Sequence, residues 1–243
     1  MTGFLFQIDN IQNVSFFAFF GTIVGYNFVK YDALVRRKKM EMKPELKSIA
    51  VLSFLALLAS GYFFLQLERN TQLIGLSFFV ITLLYTLPFF PNRKNARNWA
   101  GIKIYIVAIC WVGVTIFLPI LNSGMPFTTE FLWLALQRLL LIFVLILIFE
   151  IVDLKTDDPH LKTVPQQIGV LKTKQIGVLL LVIFVSLEFM FDNFTIEILL
   201  LKIGLALTTF LFLQFSQENR SRYYASFWVE SIPIVWYLSV FIF

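Results

Sequence analysis

Glu150, Asp153 and Asp157 are the residues whose types and spacing most directly suggest chemistry, in the stretch Glu150-Ile151-Val152-Asp153-Leu154-Lys155-Thr156-Asp157-Asp158. Steps of three and four residues place these carboxylates on one face if the helix continues through them. Carboxylates so arranged repel one another unless a cation, solvent or a basic group compensates them, and Mg2+ suits such a wall because it favours carboxylate oxygen and retained water. A solvated loop beginning where an apolar run ends accounts for the same residues without a metal, and Asp158 suits the turn before Pro159. Lys162 and Thr163 reach an anion if the loop folds back; Lys162, like Lys172 and Lys174, also fits an ordinary inward loop.

A second polar group is Asn27-Phe28-Val29-Lys30-Tyr31-Asp32. Asn27 and Tyr31 share a helix face, whereas Asp32 lies roughly 140° from Asn27 on an ideal helix. Asn27 and Asp32 therefore hold one metal only if the helix ends or distorts between them, and ordinary boundary residues explain them as well. Tyr85, Arg93, Lys94, Arg97 and Lys103 follow. Their cations suit a metal-bound diphosphate and the negative charge that develops as it departs, or equally an inward-facing loop. Lys103 begins a span and is held more firmly than a loop tip.

The elements that position these residues are apolar. The chain has 243 residues, of which 58% are hydrophobic and 14% charged. Soluble domains carry about 25% charged residues, so the balance points away from water. Uncharged stretches run over 10–29, 48–67, 70–92 and 104–129, each long enough to cross a hydrocarbon layer of about 30 Å. Four more candidates are interrupted by charge: 131–149 by Arg138, 176–191 by Glu188, 196–214 by Lys202 and 227–243 by Glu230. The expectation is an all-α, polytopic membrane helical bundle with eight transmembrane helices, forming a single domain over 1–243.

The net charge of +5 is not a nucleic-acid signature, because seventeen of the 20 basic residues fall in alternate loops. That bias places the loops near 31–47, 91–103, 150–175 and 215–226 in the cytoplasm. Cys110 is alone and reads as a packed thiol, and the single His160 excludes a histidine metal cluster. Arg138 suits a cavity in which it binds an acceptor, or equally a structural pairing or a kink, Glu188 and Lys202 suit a pair across adjacent helices, and Glu230 is placed to help close the inward end.

In order and spacing, these pieces resemble the UbiA family of intramembrane prenyltransferases. The resemblance spans nearly the whole chain: the Asn27–Asp32 motif, Leu84-Tyr85-Thr86-Leu87-Pro88, Gly101-Ile102-Lys103, the Glu150–Asp157 motif, then Leu161-Lys162-Thr163-Val164-Pro165 and Gly169. It implies a bundle with a lipid-accessible cavity in the cell inner membrane. It also implies Mg2+ bridging two acidic motifs to an isoprenyl diphosphate, whose prenyl group passes to an aromatic or other lipophilic acceptor. On that pattern Glu150, Asp153, Asp157, Asn27 and Asp32 are metal ligands, and Asp153, Asp157 and Lys103 are catalytic. Asn27, Tyr85, Arg93, Lys94, Arg97 and Lys162 bind the substrate.

Two departures accompany the resemblance. Glu150 replaces the usual first aspartate of its motif, and Tyr31 stands where an aspartate is expected. The first polar motif ends the first span rather than the second, so the family's usual first helix is expected to be absent from this chain. The alternative function is a noncatalytic lipid-binding or membrane-assembly protein. A small-solute transporter is a third class, which the clustered inward charges fit less well.

Overall fold

The computed structural model describes residues 2–8, 11–37, 44–86, 101–192, 194–221 and 223–239. These residues are almost entirely helical: α1 (Thr2–Leu5), α2 (Gln12–Arg37), α3 (Pro44–Leu65), α4 (Arg69–Thr86), α5 (Ile102–Val112), α6 (Leu118–Ser123), α7 (Thr129–Val152), α8 (Val164–Ile168), α9 (Val170–Ser186), α10 (Ile196–Phe215) and α11 (Ile232–Ser239). Gly113–Phe117 and Tyr224–Val229 are π-helical, and Pro159–Leu161 and Leu187–Met190 are 3-10 turns.

Five stretches among the described residues are long and apolar enough to cross a membrane: Leu46–Leu65, Lys103–Ser123, Thr129–Val152, Val170–Met190 and Ile196–Phe215. The chain therefore has polytopic membrane-helical character, but the expectation of eight spans is corrected to five among the described residues. The stretch 10–29 falls within α2, where Gln12, Asn13, Ser15 and Asn27 dilute the apolar run. The stretch 70–92 gives α4, which opens on Arg69-Asn70-Thr71-Gln72 and is described only to Thr86. The stretch 227–243 is broken, with a π segment ending at Val229, a turn at Glu230 and Ser231, and the short α11. Three interrupted candidates nevertheless meet the requirement, because two or three charges along each span leave the helix predominantly apolar.

The chain divides into two compact units. One contains α5 and the stretch from Phe127 onward; the other contains α1 to α4 and Gly113–Pro126. The first unit is organised on α7, whose buried residues include Leu141, Val144, Ile148 and Ile151. It packs against α5, α9 and α10. Gly177 lets α9 approach α10 closely, since a side chain there would meet Leu213, the small-residue contact typical of helices in lipid. Tyr224 donates to the carbonyl of Phe212 at 2.6 Å. Burial pushes its phenol above the ordinary value, against the opposing charge of Arg220.

In the second unit α2 and α3 pair closely through aromatic rings. Phe16 stacks on Phe63 at 4.9 Å and Phe17 meets Phe64 at 5.6 Å. The π segment has a local cause. Pro119 lacks the N–H that would bond the carbonyl of Thr115, and that carbonyl instead accepts from Thr2 Oγ1 at 2.6 Å.

At Gly113 an added Cβ would overlap the tip of the Phe78 ring, and Phe78 is held against Val14, Leu67 and Leu118. Gly113→Ala is expected to destabilise this unit by about 2 kcal/mol through overpacking, read as a lowered unfolding midpoint in detergent. Adding Phe78→Leu should restore part of the loss, and an unchanged midpoint in Gly113→Ala would refute the packing account.

Candidate functional site

The acidic motif lies where α7 ends. Helical geometry stops at Val152 and Asp153 is the C-cap, with φ −86° and ψ 0°. The helix does not continue through Asp157, so the condition for one shared face is not met; a turn follows instead, in which the Asp153 carbonyl accepts from the N–H groups of Thr156 and Asp157, both at 2.8 Å. The turn is itself hydrogen-bonded over four residues, so it keeps Asp153 and Asp157 in one compact segment.

Glu150 is buried, and its Oε2 accepts from the Val164 N–H at 3.0 Å. Val164 is the first residue of α8, so this carboxylate satisfies one of the donors that every helix N-terminus leaves over. Glu150 also lies within electrostatic reach of Lys103 and Asp157. Lys103 Nζ stands 3.8 Å from Asp157 Oδ2, both side chains about one-fifth exposed at 22% and 19%. Asp157 Oδ2 and Thr163 Oγ1 are both buried without a hydrogen-bond partner.

The connection from Asp158 to Gly169 folds back over this end of the unit. Gly101, at φ +72°, donates its N–H to the Leu161 carbonyl at 3.1 Å, pinning the loop to the start of α5. A positive φ is accessible to glycine without the steric cost a side chain brings. Asp158 caps the turn beginning at Pro159, its Oδ1 accepting from the His160 N–H at 2.9 Å, which bears out its place in a turn. Lys162 adopts φ +47° and is exposed. Its carbonyl accepts from Gln167 Nε2, and its ammonium forms no ion pair among the described residues.

Lys103, Glu150, Asp153, Asp157 and Lys162 therefore belong to one unit, and the structure brings Lys103, Glu150 and Asp157 together. Asn27 and Tyr85 belong to the other. Asn27 Nδ2 donates to Ser53 Oγ at 2.9 Å, so its amide joins α2 to α3, and Tyr85 is buried. The backbone of α2 runs without interruption to Arg37; the helix end or distortion that would turn Asn27 and Asp32 toward one ion is not there. The side chains of Tyr31 and Asp32, and Arg93, Lys94 and Arg97 altogether, lie outside the described residues. No group of three or more His, Cys, Asp or Glu side chains suited to a metal ion occurs among the described residues.

A second polar centre lies within the span bundle. Glu188, in the 3-10 turn that follows α9, and Lys202 of α10, each 2% exposed, form a buried ion pair, as the sequence leads one to expect. Gln137, which the sequence reading passes over, completes it: its Nε2 donates to Glu188 Oε2 and to the Phe184 carbonyl, both at 3.1 Å, and its Oε1 accepts from Lys202 at 2.8 Å. The available signal was a second polar residue beside Arg138 in an otherwise apolar run.

No family model, no curated protein and no solved structure matches the chain.

Proposed function

We propose that the chain is an intramembrane prenyltransferase of the UbiA type, which moves an isoprenyl group from its diphosphate to an aromatic or other lipophilic acceptor in the cell inner membrane, with the end of α7 facing the cytoplasm. The observation that carries this reading is the meeting of one cation and two carboxylates, Lys103, Asp157 and Glu150, at the end of an apolar helix, with Asp157 Oδ2 lacking a hydrogen-bond partner. That oxygen, with Thr163 Oγ1 and the acidic turn at Asp153, is the hard-oxygen chemistry Mg2+ prefers.

Asp157 and Asp153 would hold the ion, assisted by Glu150. When bound, Mg2+ neutralises diphosphate oxygens and so favours their departure from the allylic carbon. Lys103 faces the same carboxylate and supplies positive charge to the leaving group. Glu150 holds the N-terminus of α8 in place, and Gly101 ties the returning loop over the carboxylates. The surrounding apolar helices exclude water from the electrophilic carbon.

The noncatalytic lipid-binding reading draws on two observations: Lys103 already answers Asp157, and Glu150 already caps α8. The discriminating experiment incubates the purified full chain with labelled isoprenyl diphosphates and membrane-extracted acceptors, with and without Mg2+. Mg2+-dependent diphosphate release with a prenylated product supports transfer. A folded, lipid-binding protein that gives neither supports the noncatalytic reading.

A further inference from the structure

Arg138 is a buried charge that the diphosphate reading does not use. It stands nine residues into α7, about 14 Å along the helix from its start. Its guanidinium carbon lies 4.5 Å from the centre of the Trp236 ring. Nε and Nη2 are both buried without a hydrogen-bond partner, and so is the indole Nε1 of Trp236. Among the described residues no carboxylate lies within ion-pair distance of Arg138.

The nearby charges do not balance. Lys202 lies within electrostatic range of Arg138 and repels it, while Glu188 is engaged by Lys202 and Gln137. The carboxylate of this polar centre is thus taken by Lys202, and no charge among the described residues offsets that of Arg138. An arginine does not escape by losing its proton, and a tryptophan face compensates a desolvated guanidinium only in part. An intramembrane charge left in this condition calls for a partner.

The geometry of the orphaned donors narrows its chemistry. Nε and Nη2 form the side edge of the guanidinium, where two parallel N–H groups match both oxygens of one carboxylate. Depth narrows its source. In a hydrocarbon core about 30 Å thick, the phosphate of a bilayer lipid stays at headgroup level, well away from the middle of α7. A fatty acid carries its carboxyl group inward in the neutral form and ionises on the guanidinium, releasing the proton to solvent. We propose that Arg138 and Trp236 form a binding site for the carboxylate of a membrane-soluble fatty acid, independent of the diphosphate chemistry at the end of α7. Arg138 as a residue is only half-buried, which leaves an approach from the surface of the unit; the two donors are covered as they stand, so entry requires the side chain to turn.

The test uses the purified full chain in nonionic detergent with radiolabelled oleate as the probe. Saturable binding is expected, weakened about tenfold or more in Arg138→Gln, the scale of a lost charge-assisted hydrogen bond. Unlabelled oleate should displace the probe, whereas oleyl alcohol, with the same chain and no carboxylate, and acetate, with the carboxylate and no chain, should not. Equal displacement by oleyl alcohol would overturn the proposal, since the chain alone would then be recognised. Equal displacement by acetate would overturn the membrane source, and undiminished oleate binding by Arg138→Gln would overturn the residue assignment. If Arg138→Gln does not fold, the competition on the unaltered chain decides the matter by itself.

Discussion

Glu188→Gln is expected to destabilise the unit built on α7 by about 3–5 kcal/mol, the cost of leaving a buried cation without its partner. The substitution preserves size and the capacity to hydrogen-bond, so the loss reports charge. It leaves Lys202 without its carboxylate partner and still within reach of the charge of Arg138. Hydrogen bonds between membrane helices average only about 0.6 kcal/mol, so a loss of several kcal/mol separates the ion pair from the Gln137 contacts around it. The paired replacement of Glu188 and Lys202 by leucine should recover most of the stability, because it removes both desolvation penalties together. Chemical denaturation in detergent micelles measures both. A Glu188→Gln protein as stable as the parent would mean that the pair is not buried as described.

Asp157→Asn is expected to lower Mg2+-dependent prenyl transfer by about a hundredfold or more while leaving the helices folded. The two halves of that expectation have separate physical grounds. Asparagine keeps the shape of the side chain but removes the negative charge that would hold the ion. Folding survives because the Lys103–Asp157 contact is long, at 3.8 Å, and partly exposed, a class of ion pair that contributes about 1 kcal/mol at most. The measurement is the Mg2+ concentration dependence of diphosphate release, with the unfolding midpoint taken on the same preparation. Full activity in Asp157→Asn at unchanged Mg2+ requirement would remove Asp157 from the site, and a collapsed midpoint would show a structural role instead.

Five spans were legible, though not for the reason that first suggests itself. The stretches 48–67 and 104–129, free of charge, correspond to spans, but so do three stretches broken by Arg138, Glu188 and Lys202. Glu188 and Lys202 look like defects along the chain and pair with each other in space. The stretches 10–29 and 70–92 carry no charge at all, yet α2 falls short because Gln12, Asn13 and Asn27 dilute it, and α4, described to Thr86, opens on Arg69-Asn70-Thr71-Gln72. An absence of charge is therefore a poorer guide to a span than the sum of apolar side chains along it.

Amino-acid order alone determined that this chain is helical and suited to lipid, since a run of about twenty apolar residues matches the length at which a helix crosses the bilayer with its backbone groups satisfied within the segment. It also singled out Glu150, Asp153 and Asp157, because carboxylates at the end of such a run stand out by type. Tertiary structure decided what those residues touch. Glu150 meets the Val164 N–H fourteen residues away, Lys103 meets Asp157 across more than fifty positions, and Gln137 meets Glu188 across fifty-one. Helical periodicity carries information over only a few residues, whereas these contacts depend on how separate helices dock and where a loop returns.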